Sequence, residues 1–178
     1  MSGDARDASA LLARIEALER RLDEVEGVQA IHRLKARYGE VTDRRYAGDG
    51  LVPPERLAPL AREIAQLFTE DAVWDGGPQL GRVVGRAAIE AHFRTSQLHF
   101  AWHFFAKPQV QVDGDVGHGT WDILAPCTAR NGRAHWMVGV EHDRYRRVDG
   151  RWLHAYMKLD LVFMAPFDEG WAKRVKRG

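Results

Sequence analysis

LHFAWHFFAKPQVQV, residues 98–112, decides how this chain is read. It is rich in aromatic and β-branched residues, so it reads as a strand whose side chains alternate between two faces. His99, Ala101, His103 and Phe105 share one face, and Leu98, Phe100, Trp102 and Phe104 share the other. Both faces carry apolar residues, which predicts burial on both sides. Three more strand-like runs follow, at 116–125, 134–147 and 151–164. Their connections, DGD at 113–115, ARNGR at 129–133 and DG at 149–150, are hairpin signals. The second half therefore reads as an antiparallel meander.

The first half reads as helix. Leu22, Val25, Val28, Ile31 and Leu34 recur at three-residue steps among charged residues, the apolar stripe of a helix over 9–45 with a candidate break at Gly27. GDG at 48–50 is a turn. Pro53 and Pro54 open a second helix, ERLAPLAREIAQLF, which Pro59 interrupts. TEDAVWDGG, 69–77, is a short strand ending in a glycine turn, and GRAAIEAHFRTSQL, 85–98, is a third helix. Helices followed by a meander give an α+β fold, three helices covering one face of a strongly curved, mostly antiparallel sheet. The 178 residues suit a single domain, with a core over about 9–165 and a tail at 166–178.

Composition narrows function. The 26 basic and 25 acidic residues nearly cancel, so no global field attracts nucleic acid or an anionic membrane. The basic cluster KRVKR, 173–177, reads as a solvated end. MSGDARDASALLARIEALERR has charges throughout and is no secretory signal, and no run is long enough to span a membrane. A soluble cytoplasmic protein is expected. Cys127 is the lone cysteine, which excludes an internal disulfide and a cysteine-rich metal site. His99 and His103 have the four-residue spacing of helical metal ligands, but on a strand that spacing separates them by roughly 13 Å, so no metal is expected. His32, His92 and His142 read as surface residues, and His118, His135 and His154 as hydrogen-bonded core, with cavity lining as the alternative. No GxSxG elbow, P-loop or GxGxxG occurs.

KARYGEVTD, 35–43, raises a separate question. A tyrosine and an aspartate stand where a core leucine and a terminating glycine are routine. Five helical residues give about 7.5 Å of rise and about 140° of rotation, so Tyr38 and Asp43 do not touch, yet both can reach a cavity at the helix end. From the residues alone, an amphipathic core tyrosine and a solvated helix end stay open beside a functional pair.

IEALERRLDEVEGVQAIHRLKARYGEVTDRR, LFTEDAVWDGG, GRAAIEAHF, WHFFAKPQVQVDGD and YRRVDGRWLHAY together resemble the SnoaL-like members of the NTF2-like superfamily, over Ile15 to Tyr156. Within it they are most similar to bile acid 7α-dehydratases. The resemblance implies a cone of helices on a curved sheet, with Tyr38, Asp43 and His103 as catalytic residues. It also implies a homo-oligomer, a trimer or dimer. Related dehydrochlorinases share the aspartate and histidine. The arginine that such enzymes carry near the end of the last strand is missing here, where KLDLVF offers Lys158 as the nearest basic residue. Lys158, His99, Trp121 and Tyr156 are the expected substrate-binding positions.

The expected activity is that of a cofactor-independent hydro-lyase acting on a hydrophobic hydroxylated ring compound, such as a hydroxysteroid or bile acid. An imidazole would take a carbon-bound proton, a carboxylate would orient it and a phenol would assist the leaving oxygen. A SnoaL-type cyclase or isomerase using the same dyad is the alternative, and a non-catalytic binding protein is the third. No cofactor is expected.

Overall fold

The computed structural model describes residues 2–48 and 50–172; Asp49 of the GDG turn and the basic tail at 173–177 lie outside them. Helix α1, Ser2–Asp43, runs through 42 residues without the break expected at Gly27. Gly27 instead lets the helix lie close on the sheet, because a Cβ there would meet Val112 Cγ1 at 3.1 Å and Trp152 at 3.3 Å. At Gly117 the approach is tighter still: a Cβ would sit 2.7 Å from Ile31 Cδ1. The apolar stripe divides at the same place. Ile31 and Leu34 are buried, whereas Leu22 and Val25 are more than half exposed.

A small hairpin of β1, Tyr46–Ala47, and β2, Gly50–Leu51, leads into α2, Pro54–Ala65. Helix α2 buries Leu57, Leu60, Ala61, Ile64 and Ala65 at three- and four-residue steps and tolerates Pro59 inside it. It ends sooner than expected because Phe68 opens β3, Phe68–Asp75. A single turn, α3 (Gly77–Leu80), and a short strand, β4 (Arg82–Val84), precede α4, Arg86–Phe93. Neither α3 nor β4 is expected from sequence, and both are too short to carry a periodic signal.

The meander comprises β5 (Leu98–Ala101), β6 (Phe104–Asp113), β7 (Val116–Ala129), β8 (Ala134–Val148) and β9 (Arg151–Pro166). Among the described residues these form a seven-stranded sheet in the order β4-β3-β9-β8-β7-β5, with β6 also on β7. All neighbours are antiparallel except β3 and β9. The β8–β9 turn has φ of 49° at Asp149 and 73° at Gly150, the two left-handed residues of a type I′ hairpin.

The deciding stretch is two strands. The chain breaks at Trp102 and His103, and β5 and β6 pair with successive parts of β7. Burial on both faces is also corrected. Trp102 is 48% and Phe104 52% exposed, because the helices cover only the concave face. There Tyr38, Val41, Ile64, Phe68, Trp74 and Phe93 form the main core. No helix among the described residues is long and apolar enough to cross a membrane.

Candidate active site

Asp43 is the last residue of α1, and His103 stands at the break between β5 and β6. The Asp43 carboxylate accepts the backbone N–H of His103 with both oxygens, at 3.1 and 3.2 Å. Its Oδ1 also lies 2.6 Å from His103 Nδ1. The strand breaks there because a side chain has taken the amide that a sheet ladder would use. A carboxylate acceptor puts the ring proton on Nδ1, leaving the Nε2 lone pair open. Nε2 has no hydrogen bond among the described residues. The two side chains are 13% and 8% exposed, so the pair is shielded and reachable.

His103 stands between two cavities. The larger, about 1040 Å³, is lined by Asp43, His103, Leu60, Phe105 and Trp121, with charged residues at its rim. The smaller, about 60 Å³, is lined by His103, Tyr38, Thr42, Arg45, Trp74 and His92. The expectation of one cavity shared by Tyr38, Asp43 and His103 is thus corrected. Asp43 faces the large space, Tyr38 faces the small one, and His103 lines both, as the 140° between the two helical positions requires.

Tyr38 is buried, and its oxygen accepts the Trp74 indole N–H at 3.1 Å, leaving its own proton to donate. Burial, reinforced by the nearby Glu141, raises the phenol well above its ordinary pKa. Sequence reading missed the small cavity's cation. Arg45 is 6% exposed and meets no carboxylate among the described residues. It donates to Thr42 O at 3.2 Å, Phe93 O at 3.4 Å, Thr95 O at 3.3 Å and Tyr46 Oη at 3.4 Å. Those are four acceptors for five N–H groups. The buried hydroxyl of Thr42 has no partner. Four consecutive polar residues after a helical stripe, Thr42 to Arg45, read from sequence as a solvated end; in the fold Arg44 stays exposed, His103 covers Asp43, and Phe93 and Thr95 close over Arg45.

Among the other expected binding residues, Trp121 alone lines the large cavity, donating to Tyr145 Oη at 2.9 Å. His99 is exposed and lies against Gly50, because the break after Ala101 separates its register from that of His103. Lys158 is a surface residue paired with Asp160 at 2.7 Å. Tyr156 lies beneath the Arg144 guanidinium, 4.6 Å away, on the outer side of the sheet. All three are corrections: none lines either cavity beside His103.

Deeper in the cone lies a polar cluster that was also missed. The Lys35 ammonium pairs with Glu141 and, at 2.7 Å, with Asp143, which accepts the Tyr145 hydroxyl at 2.7 Å. Burial opposes the Lys35 charge, but the two carboxylates outweigh it and raise its pKa. Asp143 is pushed up to about 6 by burial, against the pull of Lys35. His154 is fully buried with neither ring nitrogen hydrogen-bonded, Nδ1 lying 3.9 Å from Asp143 Oδ2, and burial, with Lys35 nearby, lowers it well below its usual range. The alternation of Met137, Glu141, Asp143 and Tyr145 along β8 was the available signal, since it puts carboxylates on the apolar face.

No match exists among the curated proteins. Among solved structures, a hexachlorocyclohexane dehydrochlorinase, LinA type 3, from Novosphingobium barchaimii is 18% identical with a TM-score of 0.67, covering 83% of this chain and 94% of its own. A Novosphingobium aromaticivorans protein provisionally called a scytalone dehydratase is 18% identical with a TM-score of 0.65, covering 80% and 89%. An NTF2-like protein with a cystatin-like fold from the same organism is 21% identical with a TM-score of 0.58, covering 96% and 97%. At these identities the likeness establishes the α+β NTF2-like fold. The SnoaL-like domain model matches residues 58–158, more than half of the chain, from within α2 to the middle of β9. The chain belongs to the SnoaL-like domain family.

Proposed function

We propose that this protein is a hydro-lyase that eliminates water from a hydrophobic hydroxylated ring compound, with hydroxysteroids and bile acids as the first candidates. The observation that carries the reading is the Asp43–His103 pair, 2.6 Å apart, with Nε2 free beside two cavities. The apolar ring body occupies the large cavity, and a carbonyl oxygen reaches the small one. His103 Nε2 takes the proton from the carbon next to the carbonyl while Asp43 stabilises the imidazolium. The electrons of that C–H bond become an enolate, whose oxygen accepts hydrogen bonds from Tyr38, Thr42 and the spare N–H of Arg45. When the enolate collapses, the C–O bond breaks, and hydroxyl leaves as water with the proton returned by His103. Arg45, two residues beyond the end of α1, thus supplies a buried cation to the site although the last strand carries no arginine.

Two similar structures support an elimination, since one is named a dehydrochlorinase and another provisionally a dehydratase. A homo-oligomer, dimer or trimer, belongs to the same reading. A row formed by Phe104, Leu124, Val138 and Phe163 crosses four strands on the outer face and supports it. The test is a screen of hydroxylated steroids and polycyclic ketones for the absorbance of a new conjugated double bond, run beside deuterium exchange next to the carbonyl. Elimination with exchange is expected. Exchange without elimination would reassign the dyad to an isomerase or cyclase, and tight binding without exchange would make the protein a binder.

A further inference from the structure

The outer half of α1 carries a pattern that its own fold leaves unused. Leu11, Ile15, Leu18, Leu22 and Val25 follow steps of four, three, four and three, the a and d positions of a heptad repeat. Their exposures are 59%, 43%, 55%, 57% and 54%, where core helices bury such residues. The sheet touches the opposite side of the helix. Asp23 chelates Arg147 with two bonds of 2.7 Å, Gly27 packs on Val112 and Trp152, and Ile31 is fully buried. At about 100° per residue, the exposed stripe points about 160° away from that packed face. Among the described residues nothing covers it.

The flanking charges identify the occupant. Counting Ile15 and Leu22 as a, and Leu11, Leu18 and Val25 as d, the g positions are Arg14 and Arg21, and the charged e positions are Glu19 and Glu26, Leu12 being the third e. All four charged residues are exposed, and none has an ion-pair partner among the described residues. In a parallel pair of identical helices, each g residue meets the e residue of the next heptad on the other helix. Arg14 then faces the partner's Glu19, and Arg21 faces the partner's Glu26. An antiparallel pair would set arginine against arginine and glutamate against glutamate. We infer that residues 11–26 form a parallel, in-register coiled coil with a second copy of this chain. Two heptads are marginal for isolated peptides. Here the helix is continuous with a segment already fixed on the sheet, so no separate nucleation is needed. The inference extends the homo-oligomer reading and is independent of the proposed chemistry.

The experiment uses the full chain. Light-scattering mass is measured for the wild type and for a Leu18→Glu/Leu22→Glu double variant, whose changes lie far from His103 and at exposed positions. The mass should fall to half, with the sheet signal in circular dichroism retained. Leu11→Cys and Val25→Cys are then oxidised separately. In a parallel pair each cysteine meets its own copy, so each single variant should cross-link to a dimer, while the wild type, whose Cys127 is buried, should not. An unchanged multimeric mass in the double variant would overturn the coiled coil and leave the oligomer reading standing. A monomeric wild type would overturn both. Cross-linking seen only when the two cysteine variants are mixed would overturn the parallel arrangement.

Discussion

Replacing Asp43 by Asn tests the proposed dyad most directly, because the change keeps shape and removes one charge. In the wild type, Oδ1 holds Nδ1 at 2.6 Å, and both oxygens accept the His103 amide at 3.1 and 3.2 Å. An asparagine must place its NH₂ near that amide in either orientation, so the two orientations are of similar energy. Only the one that presents oxygen to Nδ1 leaves Nε2 free, which costs a factor of about two in competent enzyme. The larger loss is electrostatic. An imidazolium and a carboxylate about 4 Å apart at an effective dielectric of about 20 attract by ~4 kcal/mol. With both side chains largely buried, solvent removes little of this, and ~3–4 kcal/mol is a loss of between about a hundredfold and about a thousandfold in kcat. Ligand affinity should change little, since apolar burial supplies most of it. His103→Ala should be as damaging, and the double variant hardly worse. The assay is kcat and ligand affinity on a substrate from the screen, with circular dichroism as the fold control. Asp43→Asn turnover within a few-fold of wild type would refute the reasoning and leave Asp43 as a cap for the strand break.

Tyr38→Phe should lower kcat and also destabilise the fold by about 1–3 kcal/mol, because the buried Trp74 N–H loses its acceptor; chemical denaturation measures this. Arg45→Met should reduce turnover while binding of apolar, carbonyl-free ligands persists, read by fluorescence of Trp74 in the same cavity. Lys35→Met leaves Glu141 and Asp143 buried without their cation and should cost about 3–5 kcal/mol in the same denaturation assay. The interior also makes a signed pH prediction. His154 stays neutral in the fold but binds a proton when unfolded below its ordinary 6.5, so it removes stability as pH falls. Asp143, at about 6 folded and 3.8 unfolded, binds its proton in the fold first, so it adds stability as pH falls through that window. Each slope is ~1.4 kcal/mol per pH unit and the two oppose. His154→Phe should therefore gain stability between pH 6 and 4, and Asp143→Asn should lose it, relative to a flatter wild type; denaturation midpoints across that range decide.

The sequence by itself determined the α+β order and the meander, because hairpin turns and period-two alternation are local properties of neighbouring residues. The spacing of Leu11, Ile15, Leu18, Leu22 and Val25 is also local, but only their exposure in the fold separates that heptad from the buried stripe at Ile31 and Leu34. The sequence singled out Asp43 and His103 through a family resemblance, and the structure brings them together across 60 residues. Tertiary structure alone decided what surrounds them. The break at Trp102 exists because Asp43 captures an amide from a distant strand, and that break moves His99 out of register with His103. The burial of Arg45 depends on α4 closing over the end of α1, and the pairing of Lys35 with Glu141 and Asp143 depends on α1 crossing β8. Such contacts join residues far apart in the chain, and their energies come from desolvation, which no spacing rule records.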